Sequence, residues 1–223
     1  MYYKQNFDTH NTTPYAVRPI KYIVIHYTAG VTDKAGTAIN CANWFANEKC
    51  LCSADFIVDS GGAVQYNPDI KNRYTWHCGG AKYPDTVAGA EYYRICTNKN
   101  SIGVEICSCN KSGKMTAAND GNYSFTAQTI ANAVDLVRKL MNEYKIPAEN
   151  VIRHYDVTGK PCPGVWGYNE DSGSADKWAE FKRTLAANDT IYRVQVGAYK
   201  NREYAQAEVE RLKQMGFNAY ITT

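Results

Sequence analysis

The chain has 223 residues, of which 44% are hydrophobic and 21% are charged, and its formal net charge is +3. This length fits one domain of roughly 100 to 200 residues together with a small appendage. The sequence contains no apolar run near the ~18 residues that a membrane span requires, and its lysines and arginines are not gathered in a block. We therefore expect a soluble globular protein that neither spans a membrane nor binds nucleic acid.

Residues 1–8 contain no apolar segment followed by a small-residue cleavage site, which is the pattern of a secretory signal peptide. We expect a protein made in the cytoplasm; a substrate outside the cell would require release by other means. Eight cysteines at this length, without a secretory signal, favour reduced thiols over a disulfide framework. The pairs Cys50 with Cys52 and Cys107 with Cys109 could chelate a metal or bridge to other cysteines. Buried free thiols are favoured, because zinc ligands usually have two or more residues between them.

Hydrophobic patterns predict alternating strands and helices along most of the chain. The predicted strands are residues 21–27, 54–59, 63–66, 101–107 and 151–154, and the predicted helices are residues 37–47, 125–144 and 175–185. The segment Ser60-Gly61-Gly62 predicts a hairpin between the second and third strands, and residues 67–100 predict a loop. This order favours an α/β fold in which a mixed central β-sheet is flanked by helices.

The strand predicted from the letters SIGVEIC separates its side chains onto two faces. Ile102, Val104 and Ile106 share one face because side chains alternate along a strand. Gly103 and Glu105 lie on the other face. Glu105 is therefore expected to project away from the apolar core.

Three potential metal ligands follow predicted strands: His26, His154, and Cys162, which lies eight residues beyond His154. Two imidazoles and one thiolate are donors that zinc prefers, and three protein ligands leave the fourth tetrahedral position for water, as a catalytic site requires. Taken singly, a histidine or cysteine is more often a structural group than a ligand. The residues alone leave both interpretations open.

Four separated segments contain these residues in a characteristic order. They are YIVIHYTAG with His26, TWHCGG with Trp76 and His77, NSIGVEI with Glu105, and HYDVTGKPCPG, which begins at His154. Over about residues 19–185 the sequence closely resembles the type-2 N-acetylmuramoyl-L-alanine amidases, whose fold is shared by peptidoglycan-recognition proteins and phage lysozyme-type amidases. The resemblance implies an enzyme, a phage or prophage endolysin or autolysin, that cuts peptidoglycan between N-acetylmuramic acid and L-alanine.

The same resemblance implies roles for the metal ligands and for one cation. His26, His154 and Cys162 are expected to bind Zn²⁺, whose bound water is acidified towards pH 7 and attacks the amide carbonyl. Lys160 matches the family group that stabilises the tetrahedral oxyanion, a role favoured here over that of an ordinary solvated lysine.

Glu105 matches a family carboxylate that helps to activate the water and returns a proton to the leaving amine; the alternative is a strand glutamate that faces solvent. Some relatives use a tyrosine two residues before the aromatic of the second strand. With Phe56 as that aromatic, the position here is Ala54, so Glu105 is favoured as the base that activates the water. Trp76 and His77 match substrate-binding positions near the metal, and the alternative for His77 is a buried hydrogen-bonded histidine. Aromatic residues between positions 66 and 93 could stack on sugar rings or pack a loop.

The last part of the chain predicts a small βαβ unit, with a strand at residues 191–196, a helix at 202–215 and a strand at 217–221. The letters YRVQVGAYKNREYAQ and GFNAYI resemble the first half of a SPOR domain, which implies binding to peptidoglycan glycan without stem peptides. We place the catalytic domain at residues 1–187 and the linker with the partial SPOR-like segment at 188–223. Because the second half of such a domain is missing, its strand edges predict pairing with another copy and a possible homodimer.

Two other functions compete with the amidase. Non-catalytic relatives bind peptidoglycan without zinc, but the sequence keeps the cysteine ligand as Cys162. A zinc peptidase would need a motif such as His-Glu-x-x-His, which the sequence lacks. The pattern favours the zinc amidase, with a peptidoglycan-binding module as the alternative.

Overall fold

The structure is a computed structural model that describes residues 2–82, 89–166, 174–187, 196–217 and 219–221. The chain divides into two compact units, Met1–Ala187 and Asn188–Thr223. The described strands are β1 (Tyr2–Gln5), β2 (Thr12–Pro14), β3 (Tyr22–Tyr27), β4 (Phe56–Asp59), β5 (Gly62–Gln65), β6 (Arg73–Thr75), β7 (Ser101–Ile106), β8 (Cys109–Asn110), β9 (Tyr123–Ser124) and β10 (Val151–Arg153). The described α-helices are α1 (Thr37–Phe45), α2 (Ala127–Tyr144), α3 (His154–Thr158), α4 (Ser174–Ala186) and α5 (Arg202–Gln214), and short 3₁₀ turns lie at Asn98–Asn100, Ala148–Asn150 and Gly164–Trp166.

A six-stranded mixed sheet forms the centre of the first unit, in the order β1-β5-β4-β7-β3-β10. β7 lies between β3 and β4 and runs parallel to both, whereas β4 and β5 form an antiparallel hairpin. Asp59 stabilises this hairpin, since its Oδ1 accepts hydrogen bonds from the backbone N–H groups of Gly61 and Gly62 at 2.8 and 3.1 Å. The predicted α/β fold with a mixed central sheet is confirmed.

One face of this sheet carries the main hydrophobic core. Ile23 and Ile25 of β3 pack there with Ile102 and Val104 of β7. Helix α2 covers them with a stripe of buried side chains, which are Ala133, Leu136, Val137 and Leu140. Since alternate residues of a strand face opposite ways, the other face of β3 and β7 is left for different side chains.

A buried carboxylate fixes the start of α2. Thr126 caps the helix, and its side chain accepts a hydrogen bond from the N–H of Thr129. Asp33 accepts hydrogen bonds from both threonine hydroxyls at 2.7 Å. This arrangement satisfies donors that a helix N-terminus would otherwise leave unpaired.

The strands and helices predicted for the first unit form within two residues of their predicted bounds at most of their ends. Five strands of this unit were not predicted, and two of them, β8 and β9, are two residues long and pair with each other. β1 and β2 lie in the first twenty residues, and β6 lies in a segment predicted as a loop. β1 is four residues long and pairs with β5 at the sheet edge, and β2 and β6 pair only with each other, so backbone pairing rather than a long apolar pattern defines them.

Two predictions about local structure need correction. His154 was expected at the end of a strand, but it is the first residue of α3, because Asp156 accepts a hydrogen bond from the N–H of Arg153 at 2.7 Å and caps a helical turn there. In the second unit the helix is confirmed as α5, but residues 217 and 219–221, expected as a strand, form none. The other expected strand, residues 191–196, lies outside the described residues except for its last position. Among the described residues, no helix is long and apolar enough to cross a membrane.

Candidate active site

The parallel pairing of β3 and β7 places a histidine beside a carboxylate. His26 is the register partner of Glu105, and both lie on the face of the sheet opposite the main core. This arrangement follows from alternation along two adjacent strands. The face that Glu105 was predicted to occupy is therefore the face that carries His26.

His154 reaches the same place from the neighbouring strand. β10 runs parallel to β3, with Arg153 in register with Ile25, so the residue after Arg153 comes beside His26. The ring centroids of the two histidines lie 4.6 Å apart. Cys162 is brought back towards them by the hydrogen bond from the N–H of Tyr155 to its carbonyl oxygen, 2.9 Å long.

His26, His154 and Cys162 form a buried group of potential ligand atoms that lie within 4.8 Å of one another. The three residues are 2%, 7% and 5% exposed, and the distance from Cys162 Sγ to His26 Nδ1 is 3.7 Å. The Nδ1 atom of His154 is buried without a hydrogen-bond partner among the described residues. A buried nitrogen without a partner is costly, so this atom fits a metal ligand.

The protonation of these groups also fits metal binding. Burial lowers the pKa of His26 well below its usual value, with a further contribution from the charge of His154. Burial and the charge of Lys160 lower the pKa of His154 to about 3. Both imidazoles are therefore neutral at physiological pH and have a lone pair to donate. Burial and the nearby Glu105 raise the pKa of Cys162 to about 12, so a metal must displace the thiol proton.

His77 extends the group into a hydrogen-bonded chain. Its Nδ1 lies 3.2 Å from His26 Nε2, and its Nε2 lies 3.2 Å from the Ser101 hydroxyl. The side-chain oxygen of Asn98 accepts hydrogen bonds from the backbone N–H groups of His77 and Cys78 at 3.1 and 2.8 Å. Both ring nitrogens of His77 thus face protein groups, and its backbone is held in place.

Glu105 is half-buried, and its Oε2 atom is buried without a hydrogen-bond partner among the described residues. Burial raises the pKa of Glu105 to about 7, although the charge of Lys160 opposes the shift. Lys160 is itself exposed, and its charge also acts on His26, His154 and Cys162. A carboxyl that titrates near neutral pH therefore shares the site with a cation.

Trp76 is 39% exposed, unlike the adjacent His77, which is 8% exposed. Its indole Nε1–H donates to the Thr13 hydroxyl at 2.9 Å. Its backbone forms two hydrogen bonds with Ser53, one in each direction, at 3.0 and 3.1 Å. Trp76 thus presents a fixed ring at the surface beside the buried histidines.

The cysteines are free thiols, as expected. Among the described residues, the group with Cys162 is the one that could hold a metal. Cys50 and Cys107 are buried, but Cys52 is exposed and Cys109 is partly exposed, so the expectation of burial holds for only half of these two pairs. The Sγ atoms of Cys50 and Cys52 lie 3.6 Å apart.

Gly103 is a residue whose role the sequence did not reveal. A Cβ atom at this position would lie 2.7 Å from Cγ of His77. The glycine therefore leaves the space in which the His77 ring packs against β7. The one sequence feature that pointed to this role was the alternation in β7, which put Gly103 on the same face as Glu105.

A mixed sheet that gathers two histidines and a cysteine near the ends of neighbouring strands forms a group that could hold a metal ion, of the kind that metal-dependent hydrolases use. Residues 16–165 match the family model described as N-acetylmuramoyl-L-alanine amidase, and residues 176–223 match that of the SPOR domain. The chain belongs to the N-acetylmuramoyl-L-alanine amidase family, which confirms the resemblance of the four segments.

Relatives and solved structures agree with this assignment. CwlH of Bacillus subtilis (strain 168), named as an N-acetylmuramoyl-L-alanine amidase, is 32% identical over 180 residues, which cover 81% of this chain and 58% of CwlH. The amidase BlyA of the same organism is 30% identical over 174 residues, 75% of this chain and 41% of BlyA. The chain spans about half the length of the curated relatives it matches. The catalytic domain of XlyA aligns with a TM-score of 0.57 at 27% identity, over 83% of this chain and 99% of that domain.

Proposed function

We propose that this protein is a zinc-dependent hydrolase of the amide bond between N-acetylmuramic acid and L-alanine in bacterial peptidoglycan. The observation that carries the proposal is the buried group of His26, His154 and Cys162, with the unpartnered Nδ1 of His154. Family membership and the amidase names of the relatives support the same reaction. A similar solved structure is titled an endolysin from Bacillus subtilis, which supports action on the cell wall as an endolysin or autolysin.

His26, His154 and Cys162 would hold the zinc ion. When bound, zinc supplies Lewis-acid chemistry, which acidifies water and polarises the scissile carbonyl. The three side chains orient the site and exclude bulk water from one side of it, because each is almost fully buried.

Glu105 transfers protons in the proposed reaction, and Lys160 stabilises the negative charge that develops. With its pKa near 7, Glu105 accepts a proton from the attacking water and passes it to the leaving amine of L-alanine. Lys160 places its ammonium where negative charge develops on the carbonyl oxygen, which stabilises the transition state more than the bound substrate.

His77 orients the ligand His26, and Trp76 contacts the substrate. If His26 Nδ1 faces the metal, its Nε2–H donates to His77 Nδ1, and the Nε2–H of His77 points to Ser101. Such a chain fixes the tautomer and the angle of a metal-binding imidazole. A direct contact of His77 with substrate stays a prediction.

The second unit would bind the cell wall. Its match to the SPOR domain family supports attachment to peptidoglycan glycan, and the predicted homodimer through residues 188–223 stays part of this proposal. We place the action of the protein at the cell wall after its release from the cytoplasm.

The test is digestion of purified cell walls by the full-length protein, followed by mass spectrometry of the products. We expect new free amino groups on L-alanine, loss of this activity on zinc chelation, and recovery on addition of zinc. New reducing sugar ends, or cuts within the stem peptide, would contradict the proposed bond. Binding of zinc-loaded protein to walls without any cleavage would favour a non-catalytic peptidoglycan-binding module.

A further inference from the structure

The two-stranded sheet of β2 and β6 carries aromatic side chains on one face. Thr13 is the register partner of Tyr74, so these two side chains share a face. Tyr15 and Trp76 lie one residue beyond the ends of β2 and β6, and their contacts with Tyr74 and Thr13 place them on the same face. The pairing continues beyond the strand ends, since the N–H of Tyr15 donates to the Asn72 carbonyl at 2.7 Å. We call Tyr15, Tyr74 and Trp76 the aromatic ribbon.

The rings of the aromatic ribbon are held in fixed positions. Tyr15 and Tyr74 meet edge to face, with centroids 6.1 Å apart. The hydrogen bond to Thr13 orients the Trp76 indole. The Lys99 ammonium lies 5.4 Å from the centroid of the Tyr15 ring. Preset rings bind a ligand with a smaller loss of side-chain entropy.

These rings are not part of a hydrophobic core. Tyr15 is 37% exposed and Trp76 is 39% exposed, and neither they nor Tyr74 belong to a core cluster. A single exposed aromatic residue is common in proteins. Three fixed aromatic residues on one face are typical of a binding surface.

The ribbon adjoins the metal site at its Trp76 end. Trp76 precedes His77, whose ring contacts the ligand His26. The backbone of Trp76 is also paired with Ser53, and the preceding Cys52 lies close enough to Glu105 and Lys160 for their charges to act on its thiol. The aromatic face therefore begins next to the residues that carry the proposed chemistry.

We propose that the aromatic ribbon binds sugar rings of the glycan strand next to the muramic acid whose amide is cut. This inference rests on the proposed function. Aromatic faces suit the C–H faces of pyranose rings, and Lys99 offers a donor to hydroxyl groups at the rim. Tyr74 and Trp76 are separated by ~7 Å along the strand, so the ribbon is long enough for more than one sugar ring. The stem peptide carries carboxylates, which bind best to several cations. Lys99 is the cation that contacts a ring of the aromatic ribbon, so this surface suits sugar rings better than the stem peptide.

The test compares two substrates and two full-length double variants. One substrate is a soluble glycan chain that carries stem peptides, and the other is a single N-acetylmuramoyl-tripeptide. For Tyr15→Ala with Tyr74→Ala, we expect KM for the glycan chain to rise about tenfold with little change in kcat, because ring contacts made equally in ground and transition states are lost. KM for the single muramoyl-tripeptide should not change.

The matched control is Tyr15→Phe with Tyr74→Phe, which keeps both rings and should retain a KM for the glycan chain within about twofold of wild type. Zinc content and thermal unfolding show whether each variant is folded. Equal losses on both substrates, or an unchanged KM for the glycan chain in a folded alanine variant, would overturn the inference. If the wild-type protein releases stem peptide from neither substrate, the proposed function fails instead, so the two failures can be distinguished.

Discussion

The two units of the chain differ in what they do with their apolar side chains. In Met1–Ala187 the sheet and its helices bury three hydrophobic clusters. In Asn188–Thr223 the buried hydrophobic residue among those described is Val209, whereas a set of large side chains is exposed: Tyr199, Tyr204, Phe217 and Tyr220. A unit with its own core can hold buried, pKa-shifted side chains in place, and a small unit with exposed aromatic residues is suited to binding. Changes in the first unit should therefore affect chemistry, and changes in the second should affect association.

The largest expected effect is that of Cys162→Ser. A buried thiolate ligand would be replaced by a poor neutral donor, so the variant should bind zinc weakly and lose wall hydrolysis, while its fold is largely retained. Zinc content by atomic absorption, circular dichroism and product analysis measure the three properties. As a control, Cys52→Ser changes an exposed thiol outside the metal group and should keep its zinc. Full activity of metal-free Cys162→Ser would rule out the zinc mechanism.

Glu105→Gln should keep the metal but slow hydrolysis by about 10²- to 10⁴-fold, because the amide cannot accept the proton. Since burial raises the pKa of Glu105 to about 7, the wild-type rate should rise with pH through about 7, and this limb should be absent in the variant. A pH–rate profile from pH 5 to 9 measures both. An unchanged profile would assign the base to another group.

Glu105→Gln should slow hydrolysis but make the metal-free protein more stable at high pH. The folded pKa of Glu105 lies above its ordinary value of 4.5, so the folded state disfavours the ionised form. The free energy of unfolding of the metal-free wild type should therefore fall as pH rises from about 4.5 through about 7. Glu105→Gln lacks this loss and should be more stable than wild type at pH 8, by roughly 1 to 3 kcal/mol, with the difference gone below pH 4.5. Urea denaturation of both metal-free proteins at pH 4 and pH 8 decides this point.

Lys160→Ala should reduce kcat by about 10²- to 10³-fold while zinc content and KM stay close to those of wild type, since an oxyanion contact acts in the transition state. Lys177→Ala, which removes a lysine of α4, is the control and should be neutral. A variant with a raised KM and a normal kcat would show that Lys160 binds the ground state instead.

The sequence predicted the central strands of the first unit because their burial in the sheet requires apolar side chains, and these form recognisable runs or alternations. The alternation in β7 placed Glu105 opposite the core, and the family segments predicted His26, His154 and Cys162 as a group, which the fold brings together. The same reasoning could not find β1, β2 or β6, whose short pairings depend on backbone hydrogen bonds between distant segments. For this reason the aromatic ribbon, which joins Tyr15 to Tyr74 across 59 positions of sequence, emerged only from the fold.

The contacts of His77 also could not be predicted from the sequence. Its partners Ser101 and His26 lie 24 and 51 positions away, and the space for its ring depends on Gly103. A glycine within a strand signals a close approach but does not name the residue that approaches. In the second unit, helical spacing predicted α5 correctly, because a local pattern is sufficient for a helix of 13 residues.

The smallest expected effect on chemistry is that of removing the second unit. A chain that ends at Ala187 keeps the hydrogen bonds from Arg138 to the carbonyls of Thr184 and Ala187 at the end of α4, so its core and metal group should stay intact. We expect an unchanged kcat on the single muramoyl-tripeptide, weaker retention on cell walls, and a fall in oligomeric mass, because the exposed aromatic residues lie in the removed unit. Light scattering and wall co-sedimentation measure the last two properties. A full-length protein that is monomeric at working concentration would exclude the homodimer, and a truncated protein with the same oligomeric mass would show that association belongs to the first unit.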